Sequence, residues 1–211
     1  VLLVDDHVMV RGGLRLVLES ADDIEVVAEA SNGREAIELT KRLSPDVVVM
    51  DVSMPDLNGI EAAAQITSSG STSKVLGLSM HSEADYVRRM LQAGAVGYIL
   101  KSAAAEELPN AVRAVVSGQV YLSEAVMGGV LNDYQRMDDT EDESLAQLSA
   151  REREILQLIA EGWSTGDIAE RIHVSAKTVA THRQNIMDKL ELRSVPDLTR
   201  YAIRHGLTTL S

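Results

Sequence analysis

Two rhythms of hydrophobic positions alternate along the first 118 residues. Short, nearly unbroken apolar runs fall at 1–4, 24–28, 46–50, 74–78 and 96–100, most of them flanked by Gly, Asp, Ser or Pro. Such runs suit strands covered on both faces. Between them the apolar positions take helical spacing, over 8–20, 33–43, 58–68, 83–93 and 103–117, with Leu14, Val17 and Leu18 on one face and Ala36, Ile37, Leu39 and Leu43 on another. Five strands alternating with five helices predict an α/β domain: a five-stranded, doubly wound parallel sheet with helices on both sides.

The pattern then changes. A short amphipathic piece at 122–135 precedes the acidic stretch 138–144, which has too little apolar surface to bury and reads as a solvated linker spanning 119–147. From 148 to 211 the strand pattern is gone, and four helices are expected, over 149–161, 165–172, 176–190 and 195–206. Ser149 with Glu152 forms a capping box, Ser175 is placed to cap the third helix, and Pro196 sits in the first turn of the fourth. Gly162 and Gly206 end the first and last.

Composition narrows the function classes. The chain has no Cys, which excludes disulfides and thiolate metal sites and fits a reducing cytoplasm. No apolar run approaches the roughly 20 residues of a membrane helix, and no basic signal-like segment opens the sequence. The first residue is not Met, so the native start is expected a few residues upstream. The overall charge of −12 argues against a nucleic-acid partner until it is divided along the chain. Residues 1–145 hold 11 Lys and Arg against 24 Asp and Glu; residues 146–211 hold 9 against 8, with three of the five His. The acidic excess belongs to the first two-thirds of the chain, and the last third is free of it.

In an open parallel sheet, chemistry collects at the carboxyl ends of the strands. There the first strand delivers Asp5 and Asp6, the third Asp51, the fourth Ser79 and the fifth Lys101. Taken singly each is unremarkable, since an Asp at a strand end is usually a turn or cap residue and a lone Lys is usually solvated. Together they form a set. Adjacent carboxylates repel unless a cation holds them, and an all-oxygen donor set without Cys favours Mg²⁺. An aspartate can take a phosphoryl group as an acyl phosphate, while a metal ion and a lysine offset the charge on the transferring oxygens.

These residues carry a resemblance. Leu3-Val4-Asp5-Asp6-His7, Met50-Asp51 through Asn58-Gly59, Leu78-Ser79-Met80-His81 and Gly97-Tyr98-Ile99-Leu100-Lys101 resemble the hallmark segments of response-regulator receiver domains, which have a flavodoxin-like fold. The resemblance implies that Asp51 is the phosphoacceptor and that Asp5, Asp6, Asp51 and the backbone carbonyl of Ser53 serve the metal. It also implies that Lys101 contacts the phosphoryl group, and that Ser79 and Tyr98 are the switch pair, with Tyr98 swinging inward. Ser102 stands where many receivers have Pro. His7 and His81 read as rim residues. A phosphatase using Asp51 would want a second acid two residues on, and Ser53 stands there.

In the helical part, 165–172, a turn at His173-Val174-Ser175 and 176–190 make a helix-turn-helix. Val179, Ile186 and Leu190 mark its inner stripe; Lys177, Thr178, Thr181, Gln184 and Asp188 lie opposite, where Lys, Thr and Gln can reach phosphates or base edges. Leu148 through Leu156, Thr165 through Ala169 and Val174 through His182 resemble the LuxR-type helix-turn-helix, and the whole chain resembles a NarL/FixJ-family response regulator. This implies that Lys177, Thr178, Thr181, His182 and Gln184 lie near double-stranded DNA. It further implies pairing of two copies through Val195, Leu198, Thr199 and Ala202, a histidine kinase as phosphoryl donor, and a regulator instead of a turnover enzyme. A net charge near +1 makes dimerisation the expected route to useful affinity.

Overall fold

The computed structural model describes residues 1–127, 145 and 147–208. The chain divides into two units, Val1–Met137 and Asp138–Ser211.

In the first unit the strands are β1 (Leu2–Val4), β2 (Ala28–Ala30), β3 (Val47–Asp51), β4 (Lys74–Ser79), β5 (Gly97–Leu100) and β6 (Tyr121–Leu122). They pair in the order β2-β1-β3-β4-β5-β6, all parallel. The helices are α1 (Val8–Glu19), α2 (Gly33–Leu43), α3 (Gly59–Ser68), α4 (Ala84–Gln92) and α5 (Ala104–Val116). The pleat sends alternate side chains to opposite faces. Leu2, Val4, Val48 and Met50 therefore pack with Ala36 and Leu39 of α2, Ile60, Ala63 and Ile66 of α3, and Val87 and Met90 of α4. Leu3, Val47, Val49, Leu76 and Leu78 pack on the other side with Leu14 and Leu18 of α1 and with Leu108, Ala111, Val112 and Val115 of α5. Two buried faces explain why the strand sequences read as unbroken apolar runs.

Two expectations change here. The second strand is Ala28–Ala30, later than 24–28, because the Ile24 amide closes a turn onto the Ala21 carbonyl. The sheet has six strands where five were expected: Tyr121–Leu122, placed in the linker by pattern, pairs with Gly97 and Tyr98. Two residues are too short a run to show any periodicity. Val126, just beyond, is buried in the same core. Of the amphipathic piece expected at 122–135, residues 124–127 are helical; 128–135 and the acidic stretch lie outside the described residues.

The second unit contains α6 (Ala150–Ala160), α7 (Thr165–Arg171), α8 (Ala176–Lys189) and α9 (Val195–Arg204). The reciprocal capping box of Ser149 and Glu152 is present, and Ser164 with Asp167 makes a second at α7. Ser175 caps α8 through the Thr178 amide. Gly162 takes φ +88 directly after α6, a left-handed turn that glycine adopts without strain. Ile155, Leu158, Ile168, Ile172, Val179, Ile186, Leu198 and Ala202 form the core. No helix among the described residues is long and apolar enough to cross a membrane.

Candidate functional site

The first strand ends against a tight turn into α1, and that turn carries Asp5 and Asp6 to the sheet's carboxyl edge. Asp51 closes β3, its place held by the loop that follows. The Gly59 amide donates to the Val52 carbonyl at 2.9 Å, and a Cβ on Gly59 would stand 1.9 Å from the Asp51 carbonyl oxygen. Only glycine lets the start of α3 pass so close. Asn58 caps α3 by accepting from the Glu61 amide.

Lys101 lies just past β5, and its Nζ sits 2.8 Å from Asp51 Oδ2 and 2.7 Å from Asp5 Oδ2. The Ser53 amide donates to Asp51 Oδ1 at 3.2 Å. Asp5, Asp51 and Ser79 are all buried. One donor atom from each of Asp5, Asp6, His7 and Asp51 falls within 4.8 Å of the others. The expected gathering of Asp5, Asp6, Asp51 and Lys101 is therefore present, and Ser79 ends the strand next to β3. What the structure places beside Asp51 from Ser53 is its amide.

The electrostatics follow from burial. Desolvation pushes the Asp51 carboxyl up to about 6, against the opposing pull of Lys101. Burial alone would lower Lys101, but Asp51 and Asp5 outweigh it and hold the ammonium above its ordinary value. Tyr98 is fully buried, and burial raises its phenol well above the usual range. Its hydroxyl donates to the His81 carbonyl at 2.8 Å, while Ser79 Oγ accepts from the His81 amide at 3.0 Å. Tyr98, expected to swing inward, already lies inward here. The His81 ring stacks on Tyr86 with centroids 4.3 Å apart.

Other supporting residues gave no sign in the sequence. Arg11 of α1 donates to the Asp5 carbonyl at 2.6 Å and to Glu29 of β2 at 2.8 Å, tying down the turn that presents both acids. Ser123 donates to Glu107 at 2.5 Å and, through its amide, to the Tyr98 carbonyl at 3.0 Å. These partners are distant in sequence and ordinary in type, so no local pattern marks them.

In the second unit, Lys177, Thr181 and Gln184 are exposed on α8, and Thr178 and His182 are half-buried. Thr181 donates to the Lys177 carbonyl and Gln184 to Asp188, both contacts along the helix surface. Val179 and Ile186 face the core, so this polar face points outward. Lys189 meets Glu152 of α6 at 2.7 Å. Burial would raise the Glu152 carboxyl, but Lys189 and Ser149 outweigh it and hold it below its ordinary value. The expected pairing face needs correction. Leu198 and Ala202 are fully buried, whereas Val195 is 42% exposed and Thr199 half-buried. The stripe read as an interface is the one that α9 uses to close its own core.

A doubly wound sheet with an acidic rim, followed by a helix-turn-helix, is the architecture of a response regulator. The chain belongs to that family, in its NarL/FixJ branch: the model of the response regulator receiver domain matches residues 1–113, and that of bacterial regulatory proteins of the luxR family matches 146–202. It is 40% identical over 212 residues to the oxygen regulatory protein NreC of Staphylococcus haemolyticus, covering 98% of both chains. It is likewise 40% identical over 207 residues to the response regulator UvrY of Escherichia coli, covering 98% of this chain and 94% of that one. Among solved structures it is similar to the response regulator RcsB bound to DNA, with 27% identity, 95% of each chain covered and a TM-score of 0.58.

Proposed function

We propose that Asp51 takes a phosphoryl group from the phosphohistidine of a partner kinase, and that this controls how the C-terminal unit binds DNA. The observation that carries the reading is the convergence of Asp5, Asp6, Asp51 and Lys101 in one pocket at the strand ends. A carboxylate oxygen of Asp51 attacks phosphorus, the P–N bond to the donor imidazole breaks, and an aspartyl phosphate forms. Lys101, already poised between Asp5 and Asp51, follows the transferred charge. Ser79 offers its hydroxyl to a phosphoryl oxygen, and Tyr98 occupies the space behind it, so the pair couples the modification to α4 and β5.

The donors fit Mg²⁺: three carboxylates approach one another, and the buried Oδ1 of Asp6 accepts no hydrogen bond. Asp5, Asp6, Asp51 and the Ser53 carbonyl would hold the ion, which when bound supplies positive charge to the phosphoryl oxygens and keeps Asp51 ionised as a nucleophile. Ser53 stands where a phosphatase of the two-aspartate kind has its acid-base group, so the chain holds the phosphate as a signal and does not turn it over.

The receiver role falls to residues 1–118 with Tyr121–Leu122 added, and DNA binding falls to 148–211. Lys177, Thr178, Thr181, His182 and Gln184 approach the duplex, with Lys177 supplying phosphate contact. Two copies bind together, with Val195 and Thr199 the part of the expected pairing face still available. The site of action is the cytoplasm, where kinase and DNA are both at hand.

Acetyl phosphate with Mg²⁺ should place one phosphoryl group on the wild-type chain, read by intact mass, and none on Asp51→Asn. Footprinting should show stronger DNA protection with the donor than without. Label that persists in Asp51→Asn, or protection indifferent to the donor, would overturn the reading.

A further inference from the structure

His7 is the N-cap residue of α1, yet its side chain makes no capping hydrogen bond. The caps of α2, α3, α6, α7, α8 and α9 (Asn32, Asn58, Ser149, Ser164, Ser175 and Ser194) all accept from a backbone amide of their own helix. Glu83 at α4 and Ala103 at α5 likewise make no side-chain capping bond, so among α1–α9 His7 is one of three N-cap residues not used in this way. Its imidazole turns toward the acidic pocket, with Nδ1 2.9 Å from Asp6 Oδ1 and 3.4 Å from Asp5 Oδ1.

That short approach is not a hydrogen bond. Asp6 Oδ1 is buried and has no aligned donor, although Nδ1 is within reach. The two atoms stand at ion-pair distance without hydrogen-bond alignment, a placement that also suits two neighbouring ligands of one cation. Asp51 and Asp5 contribute oxygens to the same small volume, all four donor atoms within 4.8 Å of one another. Opposite ligands of an ion with bonds of about 2.0–2.2 Å lie a little over 4 Å apart, so donors spread over at most 4.8 Å need close by only a few tenths of an ångström to share one.

The donor set differs from an all-oxygen site. Mg²⁺ favours carboxylates, carbonyls and water, whereas imidazole nitrogen favours first-row transition ions, whose affinity for mixed sites rises from Mn²⁺ through Co²⁺ to Ni²⁺. We propose that His7 Nδ1 is a further ligand of this pocket, and that it makes the pocket bind first-row divalent cations such as Co²⁺ more tightly than Mg²⁺. The inference rests on the reading of Asp5, Asp6 and Asp51 as a cation site. An exposed His–Asp pair with no ion would be worth little by itself, and His7 is 64% exposed, so its replacement leaves the core untouched.

The test uses the full chain, with Co²⁺ and Mg²⁺ titrated separately by calorimetry into wild type and His7→Gln. Pulsed EPR of bound Mn²⁺ detects any coordinated nitrogen. The expected result is Co²⁺ affinity above Mg²⁺ in wild type, a drop of roughly 10-fold or more for Co²⁺ in His7→Gln, and Mg²⁺ affinity within about twofold. A nitrogen signal should be present in wild type and absent in the variant. Equal Co²⁺ affinity in the two proteins, a nitrogen signal that survives in His7→Gln, or none in wild type would overturn the role of His7 while leaving the oxygen site standing. If neither ion binds either protein, the reading of the acidic cluster falls as well, and this proposal with it.

Discussion

Replacing Asp51 by Asn should stabilise the first unit at neutral pH when no divalent cation is present. The structure buries this carboxyl, and burial raises it from 3.8 to about 6 even with Lys101 at 2.8 Å. A raised carboxyl is a cost of folding the ionised form. Below the unfolded value the group is protonated in both states and contributes no difference; stability is then lost as pH rises through the folded value. Two pKa units correspond to about 3 kcal/mol at pH 7, an upper figure because water enters the pocket. Asn has nearly the same shape and keeps one acceptor oxygen for the Ser53 amide, while Lys101 retains Asp5 Oδ2, but it cannot ionise. The difference between variant and wild type should therefore grow from near zero at pH 4 to as much as ~3 kcal/mol at pH 7. Mg²⁺ should then close the gap, since an ion at 100 times its Kd stabilises wild type by about 2.7 kcal/mol. The assay is urea unfolding in chelator from pH 4 to 7, followed by tyrosine near-UV dichroism for the first unit. Trp163, the single tryptophan, lies in the second unit and should report an unchanged transition. Equal or lower stability of Asp51→Asn at pH 7 in chelator, or parallel pH curves, would refute the claim that burial governs this carboxyl.

Gly59→Ala should cost the first unit about 2–4 kcal/mol in urea unfolding and block phosphoryl uptake, because its Cβ would overlap the Asp51 carbonyl, which is backbone and cannot give way cheaply. Leu198→Ala should destabilise the second unit by about 2–5 kcal/mol, read by Trp163 fluorescence. Val195→Asp should shift that stability by under about 0.5 kcal/mol and instead weaken paired DNA binding. Lys177→Ala should flatten the salt dependence of DNA affinity, lowering the log–log slope by about 1 whatever the sequence bound. The Glu152 carboxyl is depressed by Lys189, so its stabilising contribution is present above the ordinary value of 4.5 and lost as pH falls through the lower folded value. Lys189→Met should remove that part of the acid sensitivity of the second unit, measured as the pH dependence of its unfolding midpoint.

Much of this molecule is legible one residue at a time. Hydrophobic period separates strands from helices because a sheet buried on both faces demands continuous apolar runs, and a one-sided helix demands a stripe. The caps Ser149 and Ser175 are visible because their partners lie three residues on, and Pro196 because its fixed φ suits a first helical turn. Asp5, Asp6, Asp51, Ser79 and Lys101 are readable as a set because each sits at a strand end, and parallel topology sends all strand ends to one edge.

Other features belong to tertiary structure alone. The strand at Tyr121–Leu122 exists because β5 offers an edge, and two residues carry no period. The stripe of α9 reads equally well as a core face or a pairing face, and only the surrounding helices decide that Leu198 and Ala202 are inside. Arg11 reaches the Asp5 carbonyl, and His7 turns from its cap toward Asp6, through contacts that no spacing rule encodes. Sequence determines which local structures form, because those energies are short in range; which of their surfaces meet, and so which charges are stripped of water, is settled by packing across the chain.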